Sequence, residues 1–100
     1  MSNKKQEQEI SLFEALLTLK TVNEAERFFK DICTPQEIKA LQERWRVCQL
    51  LERGDLSYRE IHDVTGASLT TIGRVARFLK QESYQGYRLV LDKFKTKGTK

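Results

Sequence analysis

Along most of the chain apolar residues recur at steps of three and four, the spacing that gathers them on one face of a helix. From Glu9 to Leu19 the residues Leu12, Phe13, Leu16 and Leu17 form two adjacent rows, with Leu19 beside them. From Val22 to Ile32 the face to be buried is Ala25, Phe28, Phe29 and Ile32. The longest pattern, Pro35 to Arg53, carries Ile38, Leu41, Trp45, Cys48 and Leu51, widened by Val47 and Leu50. A stripe that wide can face more than one neighbour. Two shorter segments, Ser57 to Val64 and Ser68 to Gln81, are joined by Thr65-Gly66-Ala67, and a last one runs from Tyr84 to Phe94 with Tyr87, Leu89, Val90, Leu91 and Phe94. The pattern predicts an all-α chain of about six helices.

Helix starts are written in a second pattern, Ser/Thr-x-x-Glu, in which a cap hydroxyl and a carboxylate three residues on satisfy each other's backbone donors. It occurs at Thr21 to Glu24, Thr34 to Glu37 and Ser57 to Glu60, the second reinforced by Pro35 at the first helical position. Gly54 follows the longest segment and suits a left-handed helix end.

Length and composition narrow the function classes. One hundred residues with 39% hydrophobic residues make one small domain with a limited core, so part of that core is expected from a second subunit. No stretch is apolar enough for a membrane helix, and the polar segment Met1 to Glu9 lacks the apolar core of a signal peptide, which points to the cytoplasm. Cys33 and Cys48 lack CxxC spacing and His62 is the sole histidine, so no metal site is expected and both thiols read as reduced. No nucleophile beside a histidine, carboxylate pair or phosphate-binding glycine loop stands out, so the chain does not read as an enzyme.

The charge is more telling by its placement. Of the net +4, none falls in Met1 to Gly54, where nine Lys or Arg balance nine Asp or Glu; from Asp55 to Lys100 there are nine against five. A polyanionic partner would explain that asymmetry, and so would a basic tail at Lys93, Lys95, Lys97 and Lys100.

The two short helices favour the first explanation. A DNA-binding helix-turn-helix needs a turn with a glycine tolerant of positive φ, apolar residues locking two helices together, and a polar outward face on the second. Gly66 supplies the turn; Ile61, Val64, Leu69, Ile72, Ala76 and Leu79 supply the packing stripe. Thr70, Arg74, Arg77 and Gln81 form an outward strip flanked by Thr71 and Lys80, and Ser68 to Gln81 contains no acidic residue. Such a face suits a helix lying beside phosphates. The same elements also describe a helical protein-interaction module, which stays as the alternative from another class.

Thr34-Pro35-Gln36-Glu37 through Ala40-Leu41, then Arg44, Leu50-Leu51-x-Arg53-Gly54, Ser57-x-Arg59-Glu60, Gly66-Ala67 and Thr71-Ile72-x-Arg74 resemble the bacterial Trp repressor family, in particular its Trp-repressor-like branch in Gram-positive bacteria. The resemblance is close over Thr34 to Lys80 and loose over the flanking helices. It implies a six-helix subunit intertwined with a partner: residues 1–54 as the dimerisation core, 55–81 as the DNA-reading head and 82–100 as the C-terminal helix and basic tail. It further implies a corepressor pocket at Thr34, Arg44 and Arg74. Where the family has a glycine and a small serine lining that pocket, this chain has Val75 and Phe78, whose bulk would fill the indole space. No cofactor is therefore expected and tryptophan gating is disfavoured, while a differently shaped small corepressor stays open.

For DNA contact the resemblance implies Arg59 at a guanine edge and Ser68, Leu69, Thr70 and Thr71 at the start of the reading helix, with His62 in place of a family lysine. Arg74, Arg77 and Lys80 complete the expected surface. The reading is a homodimeric transcriptional regulator, a repressor, on a near-palindromic DNA operator.

Overall fold

The computed structural model describes residues 8–98. Six helices and no strand occur among them: α1 Leu12–Leu16, α2 Val22–Ile32, α3 Pro35–Arg53, α4 Tyr58–Thr65, α5 Leu69–Lys80 and α6 Gly86–Gly98. The chain divides into two compact units, the first ending at Ile38 and the second beginning at Lys39. The unit that holds α4 and α5 thus also takes in most of α3 and all of α6. Within the expected basic tail, Lys97 and Lys100 lie outside the residues whose side chains are described.

The cap pattern sets most of the helix starts. Thr34 and Ser57 each accept from the N–H of the glutamate three residues on, and that glutamate accepts from the cap N–H in return. A further box of the same Ser-x-x-Glu form, Ser11 with Glu14, starts α1. At Thr21 only half the box forms, because the Glu24 carboxylate accepts from Lys20 N instead. Helix α1 is much shorter than the Glu9 to Leu19 span expected. Its end tightens into three-residue bonds, Thr18 N to Ala15 O and Leu19 N to Leu16 O, and the Thr18 hydroxyl also donates to the Ala15 carbonyl, competing for the acceptor of the next turn.

In the first unit no described residue is buried. Phe28 and Phe29 meet edge to face at 6.2 Å between centroids, and Ala25 is half-buried, but Ile32 is exposed. Of the apolar rows, Leu12, Phe13, Leu17 and Ile32 are exposed and Leu16, Phe28 and Phe29 half-buried, short of the burial expected for α2.

The second unit has a true core. Val47 and Cys48 of α3, Ile61 of α4, Ala67 of the turn, Ile72, Val75 and Leu79 of α5, and Leu91 of α6 are buried together. Val64 and Leu69, expected in the packing stripe, are about half exposed instead, and Ala67 and Val75 take up the core positions. The reason is angular: with 3.6 residues per turn, Ile72, Val75, Ala76 and Leu79 share one face, and Leu69 at the first position falls at its edge. Helix α6 starts at Gly86 rather than Tyr84 because Gln85 has a left-handed backbone, φ +55°, which no α-helix accommodates.

An ionic clasp holds α6 to α3. Arg88 donates from both terminal nitrogens to the Glu52 carboxylate, at 2.8 and 2.7 Å, and Lys95 Nζ approaches Glu52 Oε2 at 3.0 Å. Trp45 and Phe94 add a tilted ring contact at 6.4 Å.

Candidate nucleic-acid interface

Helix α4 is short, so its placement depends on its ends. Ser57 boxes the first turn, Ile61 plugs it into the core with no exposed surface, and Gly66 terminates it at φ +80°. The Gly66 N–H donates to the His62 carbonyl at 2.8 Å. Ala67, the next residue, is buried, and side chains of α4 engage both of its backbone polar groups. Its N–H donates to Thr65 Oγ1 at 3.0 Å, and its carbonyl lies 2.7 Å from His62 Nδ1. The Thr65 hydroxyl in turn donates to the Ile61 carbonyl at 2.7 Å.

Helix α5 begins on Ser68, whose hydroxyl accepts from Thr71 N at 3.0 Å and donates to Thr71 Oγ1 at 3.1 Å. Its buried face anchors it, leaving Thr70, Arg74, Arg77, Lys80 and Gln81 exposed and Thr71 half-buried. No acidic side chain interrupts that face. Both arginines lean on Phe78, with guanidinium carbons 4.2 Å from the ring centroid for Arg74 and 5.1 Å for Arg77. Arg77 also pairs with Glu82 at 3.3 Å. Arg59, His62, Ser68 and Leu69 are exposed too, so all the residues expected at DNA except the half-buried Thr71 lie on the exposed surface of the α4–turn–α5 element. One ring nitrogen of His62 is already committed to the turn, as the Ser68 hydroxyl is to the first turn of α5.

An open cavity of about 390 Å³ lies within the second unit, bordered by Arg44 and Trp45 of α3, Arg74 and Phe78 of α5, and Tyr84 and Tyr87 beyond it. The structure thus brings together three of the residues expected around a ligand: Arg44, Arg74 and Phe78. Val75 is not at the cavity; it is 1% exposed, inside the core. Thr34 belongs to the first unit, where it caps α3. Burial pushes the Tyr87 phenol above the ordinary tyrosine range and Cys48 adds to this, while the positive charges of Arg44 and Arg74 pull the other way. Sequence reasoning missed Trp45, Tyr84 and Tyr87 as lining residues. Trp45 follows Arg44 directly and reads, by periodicity, as part of the packing stripe; Tyr84 reads as the first residue of a helix that starts two residues later.

Among the described residues no group of three or more His, Cys, Asp or Glu could hold a metal ion, and no helix is long and apolar enough to cross a membrane.

The chain is similar to known proteins over nearly all of this framework. The uncharacterized protein YerC of Bacillus subtilis is 42% identical over 84 residues, which cover 84% of this chain and 79% of that protein. A crystal structure of a TrpR-like protein from Eubacterium eligens superposes with a TM-score of 0.76 at 42% identity, covering 83% of this chain and 84% of the other. A Staphylococcus aureus protein described as a candidate Trp repressor gives a TM-score of 0.78 at 38% identity, covering 84% and 82%. The Trp repressor protein family matches residues 7–95, so the chain belongs to the Trp repressor family, whose members are DNA-binding regulators and not enzymes.

Proposed function

We propose that this chain is a sequence-specific transcriptional regulator of the cytoplasm, a repressor that binds an operator as a homodimer and works without tryptophan. The observation that carries DNA reading is the exposed, acid-free face of α5, where Thr70, Arg74, Arg77 and Lys80 stand on a helix anchored by four buried residues. Cations on a rigid element bind phosphates with little ordering cost, and the short hydroxyls beside them can reach base edges. Fluorescence anisotropy with a random-sequence duplex at low salt tests the reading. Binding that weakens linearly in log salt supports it, and no binding at low salt transfers the surface to a protein partner.

The homodimer is supported by the exposed apolar residues of the first unit, among which Phe13 is 74% and Leu17 85% exposed. Apolar surface of that extent on two short helices suits a partner's helices. Folding and association are then linked, so the thermal midpoint rises with protein concentration. A monomer in sedimentation, with a midpoint independent of concentration, overturns it.

Independence from tryptophan rests on Phe78. Its ring occupies the cavity wall beside Arg74 and already carries the guanidinium that an aromatic ligand would need. Val75, in the core, takes no part. Millimolar tryptophan is expected to change neither the thermal midpoint nor DNA affinity, since a ligand without differential affinity shifts no equilibrium. Saturable tryptophan binding in calorimetry refutes this.

A further inference from the structure

We propose that His62 is a positioning residue of the reading head: its imidazole clasps the Ala67 carbonyl and thereby sets where α5 begins relative to α4. The inference rests on the DNA-reading function proposed above. A carbonyl can only accept, so the 2.7 Å contact requires the proton on Nδ1, with Nδ1–H donating to Ala67 O. That bond fixes the tautomer of the neutral ring and leaves Nε2 as the other edge.

Its importance comes from the residue it holds. Ala67 is 1% exposed with its methyl in the core, which pins its Cα and leaves the rotation of its carbonyl about the Cα–C bond to set the path into Ser68. His62 takes its carbonyl and Thr65 takes its N–H, so both backbone groups of this one residue are gripped by side chains of α4. Ala67 directly precedes Ser68, the N-cap of α5. The clasp therefore controls the register of Ser68, Leu69, Thr70 and Thr71, the segment expected to meet DNA first. Gly66, with a left-handed backbone and no side chain, ties the joint to α4 only through its N–H to the His62 carbonyl. A buried carbonyl deprived of its partner is also costly, so the turn would shift to recover one.

Two amide side chains separate this role from direct DNA contact. The amide nitrogen of asparagine sits at the δ position, like Nδ1, and that of glutamine sits at the ε position, like Nε2. His62→Asn can restore the bond to Ala67; His62→Gln can restore only what Nε2 does. The experiment measures each variant, with His62→Ala, against a short duplex enriched from a random-sequence pool by the native protein and against an unselected duplex. Amide hydrogen exchange over Ala67 to Ile72 is followed in parallel, and thermal unfolding confirms that each variant folds.

The expected result is that Asn keeps affinity for the selected duplex within about twofold while Gln and Ala lose about tenfold, which is about 1.4 kcal/mol. Loss on the unselected duplex is smaller, because register matters less where phosphates alone are read. Exchange in the turn is expected to speed up for Gln and Ala and stay native-like for Asn. Retention by Gln with loss by Asn would place Nε2 on the DNA and overturn the proposal, as would native affinity and exchange in all three. If the native protein enriches no duplex, the DNA reading fails by itself, and the exchange comparison alone decides the clasp.

Discussion

Arg88 of α6 and Glu52 of α3 are joined by two nearly parallel hydrogen bonds of 2.8 and 2.7 Å across thirty-six positions of sequence, the geometry in which a guanidinium fork matches a carboxylate. Those bonds, with a further one from Lys95, hold the Glu52 carboxyl down to about 2 from 4.5. A carboxylate whose folded pKa is depressed contributes stability that is complete above the unfolded value and fades as pH falls through the folded one. The native chain should therefore lose this contribution between about pH 4.5 and pH 2. Glu52→Gln keeps the shape and removes the charge; a loss of about 1–2 kcal/mol at neutral pH is expected, since the pair is partly solvated. The variant's unfolding should also depend less on pH in that window, as followed by circular dichroism.

Gly66 and Gly73 make opposite predictions from the same lack of crowding, because a Cβ at either would meet nothing within 4 Å. Gly66 is left-handed, so Gly66→Ala should destabilise by about 1–2 kcal/mol through backbone alone. Gly73 lies inside α5, where alanine is the better helix former, so Gly73→Ala should stabilise by about 0.5–1 kcal/mol. Chemical denaturation of the two variants side by side checks both signs.

Cys48 is fully buried, and burial above all, with Glu52 nearby, pushes its thiol up to about 11. Only the thiolate is an effective nucleophile. At pH 8 the native chain should leave Cys48 unmodified by a thiol reagent, with labelling appearing only in denaturant. Rapid native labelling at Cys48, located by peptide mass, would contradict the buried core.

On DNA, side chains that specify sequence and side chains that position the protein should separate by mutation. Arg59→Ala is expected to cost about 1–3 kcal/mol on a selected duplex and less on a random one. Lys80→Ala should weaken both alike and lower the slope of log affinity against log salt by about one unit for each phosphate that is no longer neutralised, hence about two for a dimer. Arg77 should show a smaller salt effect than Lys80, because Glu82 already answers part of its charge. If both Arg59→Ala and Lys80→Ala bind within about twofold of the native protein, less than about 0.5 kcal/mol, α4 and α5 are not the binding surface.

Local features were legible in the chain alone. The bounds of α2 and α3, the boxes at Thr34 and Ser57, the left-handed ends at Gly54 and Gly66, and the exposed cationic face of α5 all follow from periodicity and caps acting over three or four residues. Family membership was legible for the same reason, as a set of such positions in fixed register. Which member of each apolar stripe is buried depends instead on helices distant in sequence. Val75 could belong to a cavity wall or to the core by helical phase alone, and only the placement of α3 and α6 against α5 put it in the core and left Phe78 beside Arg74. Tyr84 and Gln85 entered the cavity wall because a positive φ at Gln85 delays α6, and a glutamine, unlike glycine or asparagine, gives no sequence sign of a left-handed backbone. His62 shows the difference most directly. Its polar, titratable character is readable from sequence, but its bond to Ala67 needs two residues five apart to be folded back on each other by the turn between them.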